Sequence, residues 1–256
     1  AIANWKGLVA ARQSWATLHQ LLPSFPVLPA PTALEASRHS LKVEMASVAP
    51  PGTQKITAQD INFILEAGDG LAIIGPSGSG KSCLARMLVG AWDPARGKVR
   101  LDGAAYDQWD STALGQHIGY VPQDVELLEG TVAQNIARFV EKPNSQEIIE
   151  AARAAGVHDL ITALPQGYDT QLAENGVGLS AGQAQRIALA RALYGKPFLV
   201  VLDEPNSNLD AEGDEALLEA VLTVRARKGS VVVVAHRPSA IAGLDLVLVM
   251  NAGRQV

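Results

Sequence analysis

The chain has 256 residues, 48% of them hydrophobic and 18% charged, with a formal net charge of −5. That suits one large α/β domain with a core big enough to fold alone. The acidic balance, with no basic stripe to offset it, argues against nucleic acid as the main partner. A single cysteine rules out an internal disulfide and a cysteine-based zinc site, and suits a reducing cytosol.

Taken in chain order, residues 1–22 read as a helix, with Leu8, Ala11, Trp15, Leu18 and Leu22 on one apolar stripe. The stripe could pack on the domain as an ordinary amphipathic helix. Alternatively, since Trp5-Lys6 is a pair common at membrane interfaces, it could be the inner end of a membrane helix. No run approaches the roughly 18 apolar residues that a span needs, and no secretory signal is recognisable. Pro23, Pro26, Pro29 and Pro31 turn residues 23–39 into a semi-rigid extended linker, and a domain covering 40–256 is expected to follow it. Leu41–Val48, Ile61–Leu65 and Gly97–Leu101 read as strands of an antiparallel subdomain, with Asp102-Gly103 as a turn.

Between them lies Gly75-Pro76-Ser77-Gly78-Ser79-Gly80-Lys81-Ser82, a complete G-x-x-x-x-G-K-[ST] loop. An apolar strand, Leu71–Ile74, precedes it, and a helical stretch beginning at Cys83 follows. The glycines let successive N–H groups point inward at phosphate oxygens, at the positive end of that helix. Lys81 is the residue to reach the β- and γ-phosphates, and the Ser82 hydroxyl the one to ligate Mg²⁺. Cys83 reads either as a reactive thiol at a helix start or as a small packing residue.

Further on, His117–Val121 is a core strand leading to Gln123, whose amide can touch both metal and water. Helices are expected at Thr131–Val140, Ser145–Ala155, His158–Leu164 and Ser180–Tyr194. Ser180 is a good N-cap, and Gly182 allows close backbone approach, giving a second anion-binding helix start. Phe198–Leu202 is a strand delivering Asp203 and Glu204 at its carboxyl end, where open α/β sheets bind ligands. Asp203 is suited to hold Mg²⁺ through its water shell and Glu204 to take a proton from an attacking water. A helix over Glu212–Arg227 leads to the strand Val231–Val234, after which comes His236. Residues 245–256 read as a strand, a turn and the start of another strand, so the chain reads as cut there and before Ala1. Strands alternating with helices point to a mostly parallel, doubly wound sheet.

In this order the motifs resemble the ATP-binding cassette (ABC) ATPases over roughly residues 40–256. Gly75–Ser82 matches the Walker A loop, Gln123 the Q-loop, and Leu179–Gln183 the signature, as LSAGQ rather than LSGGQ. Phe198–Glu204 matches Walker B with its glutamate, Ser207–Asp210 the D-loop, and His236 the H-loop switch. Leu164–Thr170, with Glu174 and Gly176, looks like the exporter branch, where this segment meets the transmembrane domains. The stretches at 48–52, 88–94 and 118–127 are similar to type I protein secretion exporters of the PrtD kind.

The resemblance implies an α/β P-loop NTPase fold of the ABC-ATPase type. Such a fold has a RecA-like core, an antiparallel β subdomain and a helical subdomain, about 124–195, carrying the signature. It implies ATP and Mg²⁺ as ligands. ATP would be held by Gly75 to Cys83, and from a second chain by Ser180, Ala181, Gly182, Gln183 and Asp210. Mg²⁺ would be organised by Ser82, Gln123 and Asp203; Glu204, His236, Lys81 and Gln123 would carry catalysis. It also implies a head-to-tail homodimer on the cytoplasmic face of a bacterial inner membrane. Residues 1–22 would then be the end of a last transmembrane helix of the same native chain. The exporter type adds membrane-fusion and outer-membrane secretion components as partners. The rival readings are the ATPase subunit of another ABC exporter, for lipid, drug or peptide, and that of an importer, which is a nearer rival than the two that follow. A DNA-repair type would want inserted heptads or zinc cysteines, and a regulatory cassette without turnover a lost Glu204 or His236; neither pattern is present. One departure stands out. Residues 46–52, Ala-Ser-Val-Ala-Pro-Pro-Gly, offer no aromatic ring on which adenine would stack, and Pro50 falls near that position.

Overall fold

A computed structural model describes residues 5–22, 40–172, 178–235, 241 and 243–256. The proline-rich linker, Glu174, Gly176 and His236 lie outside the described residues. The chain divides into two units, residues 1–33 and 34–256. The described part of the first is helix α1 (Trp5–Leu21), on which Trp5, Leu8, Trp15 and Leu18 are exposed. No described helix is long and apolar enough to cross a membrane.

The second unit is built on a sheet whose central strands are parallel. These are β3 (Gly70–Ile74), β6 (Ile118–Val121), β9 (Leu199–Asp203), β10 (Ser230–Val234) and β11 (Leu246–Asn251), in the order β11-β3-β10-β9-β6. Each pairs in parallel with its neighbour. β12 (Arg254–Gln255) turns back on β11 and also reaches β2 (Ala58–Glu66), so that it joins the parallel strands to an antiparallel group. That group is β1 (Ser40–Val48), β2, β4 (Arg96–Leu101) and β5 (Ala104–Ala105).

The continuous valines of β10 are explained by burial on both faces, as a central parallel strand requires. Val231 and Val233 pack into one core, Val232 and Val234 into the other. The strand period of two sends alternate residues to opposite sides. Leu84, Ala85, Met87 and Leu88 of α2 (Lys81–Leu88) fill one core. The other is filled by α4 (Val132–Ile136), α5 (Ser145–Ala154), α6 (His158–Thr162), α7 (Ala181–Leu193) and α8 (Ala211–Ala226). A short antiparallel pair, β7 (Gly130–Thr131) with β8 (Gln171–Leu172), stands beside α4.

Two of the boundaries that differ from the sequence reading have a local physical cause. His117 ends a helix, α3 (Ser111–His117), rather than opening β6; the Asp110 carboxylate caps it by accepting from Thr112 N and Ala113 N at 3.0 Å each. A seven-residue helix with one buried apolar side chain, Leu114, leaves too little periodicity to see. The helix expected to run to Val140 stops at Ile136, because Arg138 and Phe139 both take left-handed backbone, φ 56°.

Candidate functional site: a phosphate loop at the carboxyl ends of the parallel strands

β3 delivers the loop and α2 receives it. Gly75 adopts φ 151°, and a Cβ there would lie 2.1 Å from Met250 O; Gly80 adopts φ 94°, and its Cβ would lie 2.3 Å from Thr57 O. Both positions are therefore closed to any side chain. Gly78, at φ 77°, meets nothing within 4 Å, so the tip of the loop faces open space. The loop is walled behind by backbone from the β11–β12 hairpin and the β1–β2 connection.

Lys81 is only 5% exposed and folds back over the loop, donating to Gly75 O at 2.9 Å and Pro76 O at 2.8 Å. Burial pulls the Lys81 ammonium below its usual pKa range, opposed by the nearby Glu204 and Asp203 carboxylates. Ser79 is buried, and its Oγ has no hydrogen-bond partner among the described residues. Cys83 is half-buried against the core that α2 fills.

Ser82 Oγ donates to Asp203 Oδ1 at 3.2 Å. Asp203 is fully buried at the end of β9, and its Oδ2 has no hydrogen-bond partner among the described residues. Burial raises its pKa, against the Ser82 hydrogen bond; the Glu204 charge also raises it. An orphaned carboxylate oxygen costs free energy unless something satisfies it. A hydroxyl and a carboxylate side by side under a phosphate loop are hard oxygen donors that fit Mg²⁺, which is typically held by one or two protein oxygens, waters and substrate phosphates. No cluster of three or more His, Cys, Asp or Glu side chains able to hold a metal alone occurs among the described residues.

Glu204 follows with φ 51°, and its N–H donates to Val234 O at 3.0 Å, tying the end of β9 to that of β10. Gln123 Nε2 donates to Glu204 Oε2 at 3.2 Å. Strand register accounts for this contact. β6 and β9 pair with Val121 opposite Leu202, so the residues just beyond both strand ends stand side by side. Gln123, Ser82, Asp203 and Glu204 are thus brought together with the loop. The structure places Gln123 on the carboxylate of Glu204.

The signature residues form a separate site. Ser180 caps α7 in a reciprocal capping box, Gln183 N donating to Ser180 Oγ at 3.2 Å and Ser180 N to Gln183 Oε1 at 2.9 Å. A Cβ on Gly182 would come 3.0 Å from Asn208 O. Asp210 caps α8, accepting from Gly213 N at 2.9 Å, and accepts from Arg186 Nη2 at 3.3 Å; Arg186 Nη1 also reaches Glu212 at 2.8 Å. A concavity of about 410 Å³ is lined by Ser180–Gln183, Leu160, Arg186, Asn208 and Asp210, and by no residue of Gly75–Ser82. Sequence reasoning overlooked Arg186; its only signal was a cation among the mostly small and apolar residues of a helical stretch.

The region expected to hold adenine is the β1–β2 connection. Ala46 and Val48 are buried within β1. Pro50 O accepts from Thr53 N at 3.1 Å and Thr53 Oγ1 at 2.9 Å, and Thr57 then lies against Gly80. Pro50 therefore belongs to the connection that borders the loop.

The ABC transporter family profile matches residues 58–207. The chain belongs to the ABC transporter family, as its ATPase cassette. It is 61% identical over 99% of its length to a type I secretion system ATP-binding protein, PrsD, of Rhizobium meliloti, covering 44% of that protein. It is 39% identical over 98% of its length to an ATP-dependent lipid A-core flippase of Chromobacterium violaceum, covering 42% of it. Among solved structures, a bacterial Atm1-family ABC exporter with ATP bound superposes with a TM-score of 0.84 at 32% identity, covering 99% of this chain and 46% of the other. The fold is that of the ABC exporter ATPases. The chain spans less than half the length of these relatives.

Proposed function

We propose that this cassette binds Mg-ATP at Gly75–Ser82 and hydrolyses it to power protein export by a type I secretion system. The observation that carries the chemistry is the pair Ser82–Asp203. A buried carboxylate oxygen without a hydrogen-bond partner among the described residues lies next to a hydroxyl, under a loop whose Gly78 tip faces open space. Bound Mg²⁺ would neutralise charge developing on the transferred phosphoryl group. Ser82 and Asp203 would hold that ion. The Gly75–Gly80 backbone and Lys81 would orient the phosphates, Lys81 exchanging its two carbonyl partners for phosphate oxygens. Glu204 would accept a proton from the attacking water, with Gln123 holding its carboxylate at the strand ends. His236 is assigned its switch role, positioning Glu204 and the γ-phosphate, from its place in the sequence alone.

The separation of the Ser180–Gln183 concavity from the chain's own phosphate loop supports a head-to-tail pair, in which each signature completes the partner's site. Asp210 would then serve by fixing Arg186 and the start of α8 beneath that surface. In the native protein we assign residues 1–22 to the inner end of a last membrane helix, residues 23–39 to a linker and 40–256 to the cassette at the cytoplasmic face. Closing and reopening of the pair would drive the membrane helices. Membrane-fusion and outer-membrane components would complete the export path.

The test is a chimera in which this chain replaces the matching region of the Rhizobium meliloti protein. Restored secretion, lost again on Lys81→Ala, supports the reading. ATP hydrolysis without secretion keeps the ATPase and overturns the secretion assignment.

A further inference from the structure

Asn135, Arg138 and Arg191 form a polar cluster in the helical half of the cassette, outside the phosphate site. The Arg138 guanidinium donates four hydrogen bonds to main-chain carbonyls. They are Arg191 O at 3.0 Å, Ala192 O at 3.1 Å, Gly115 O at 2.8 Å and Ile118 O at 3.0 Å. It thus joins the last turn of α7 to the first residue of β6. The same two elements touch at Gly119, where a Cβ would lie 2.0 Å from Ala192 O. Arg191 makes a matching set, donating to Asn135 O at 3.0 Å, Asn135 Oδ1 at 2.7 Å and Glu126 O at 3.0 Å. Fully buried Asn135 in turn accepts from Leu128 N at 2.9 Å and donates to Leu128 O at 2.8 Å.

The consequence concerns the segment between. β6 begins at Ile118, held by Arg138, and the stretch beyond Gln123 is held at Glu126 and Leu128 by Arg191 and Asn135. Gln123 hangs between two clamps that both run to the C-terminal half of α7, whose N-terminus carries the signature. Arg138 reaches its carbonyls from left-handed backbone, φ 56°, a conformation that costs a bulky residue free energy and persists where its surroundings enforce it. Five donors on a rigid fork suit arginine to bridge several carbonyls at once, which the single ammonium of lysine cannot reproduce.

We propose that Arg138 is a positioning residue for ATP hydrolysis: by locking the start of β6 to α7 it sets where Gln123 meets Glu204. The proposal rests on the role given to Gln123 above. It predicts that Gln123 and the signature helix shift as one piece.

The experiment measures turnover, KM and equilibrium ATP affinity for the full chain carrying R138K, Q123A, or both. R138K should lower kcat by about 10- to 100-fold, as small misplacements near reacting groups do, with KM and ATP affinity within about twofold. The double variant should turn over within about twofold of Q123A alone, since a residue acting through Gln123 has nothing left to position. Multiplying losses in the double variant, or normal turnover in R138K, would overturn the Arg138 role while leaving Gln123 in place. Full turnover in Q123A would overturn the Gln123 role, and this proposal with it. If R138K does not fold, R191K, which disturbs the other clamp, takes its place with the same expected outcomes. In the unmodified chain, amides of β6 and of the C-terminal half of α7 should exchange as one protected unit. Much faster exchange in β6 would overturn the lock whatever the variants do.

Discussion

The side-chain amide of Gln123 donates to the carboxylate of Glu204 at 3.2 Å, across the ends of two neighbouring parallel strands. The residues stand far apart in sequence, and strand register brings them together. Were β6 to slip by one residue, its buried side chains would swap faces and Gln123 would be withdrawn.

Glu204→Gln should keep ATP binding and remove the water-activating carboxylate. Turnover should fall by about 10²–10⁴, and ATP should hold two chains together as a stable dimer, read by sedimentation or light scattering. Near-normal turnover would show that Glu204 is not the base; lost ATP binding would show that its role is structural.

The active unit should be composite. A mixture of Lys81→Ala chains with Ser180→Arg chains can place both defects on one site of a mixed pair and leave the other intact. Some activity should return on mixing if the two sites work independently. Full activity of each variant alone would refute the shared site.

Asp203 links folding to pH. Its folded pKa is raised, so the folded state binds more protons than the unfolded state between about 3.8 and the raised value. Its contribution to stability therefore falls as pH rises through that window, and the penalty persists above it. Asp203→Asn should remove the penalty and raise the melting temperature of the nucleotide-free chain at neutral pH, read by calorimetry. The same variant should lose Mg²⁺-dependent hydrolysis. An unchanged or lower melting temperature would mean that the buried carboxylate is not a source of instability.

A chain beginning at Ser40 should fold and bind ATP. Among the described residues, every member of the two buried cores lies between Leu41 and Met250. Loss of cooperative melting on that truncation would assign the first helix to the cassette's own packing.

The base pocket should discriminate weakly, because the β1–β2 connection lacks a ring. Pro50→Tyr should tighten ATP binding by up to about tenfold, since a stacked ring contributes roughly 0.5–1.5 kcal/mol. Turnover should change much less. Strong rejection of GTP by the unmodified chain would place base recognition elsewhere.

The phosphate loop was legible because its meaning lies in eight consecutive residues, and Ser82, Asp203 and Glu204 because strand ends in such a sheet converge. The valines of β10 and the antiparallel strands were legible from pattern. Other features left no trace. Arg138 acts on main-chain carbonyls and Arg191 on main-chain carbonyls and the Asn135 side chain, and no spacing announces either. The pairing of Gln123 with Glu204 depends on register between strands distant in sequence. α3 was hidden because a polar cap and one buried leucine do not make a period, and α4 ended early through backbone conformation that ordinary residue types do not signal.

The walls behind Gly75 and Gly80 have a consequence for how the protein is made. One is the carbonyl of Met250 and the other that of Thr57. A chain growing on the ribosome exposes Gly75–Ser82 well before β10 and β11, the strands flanking β3. Until they arrive the loop has one wall and no neighbours to hold β3. Nucleotide capture at this loop therefore waits for those strands, and ATP reaching the nascent chain before them meets a motif that is complete in letters and unfinished in shape.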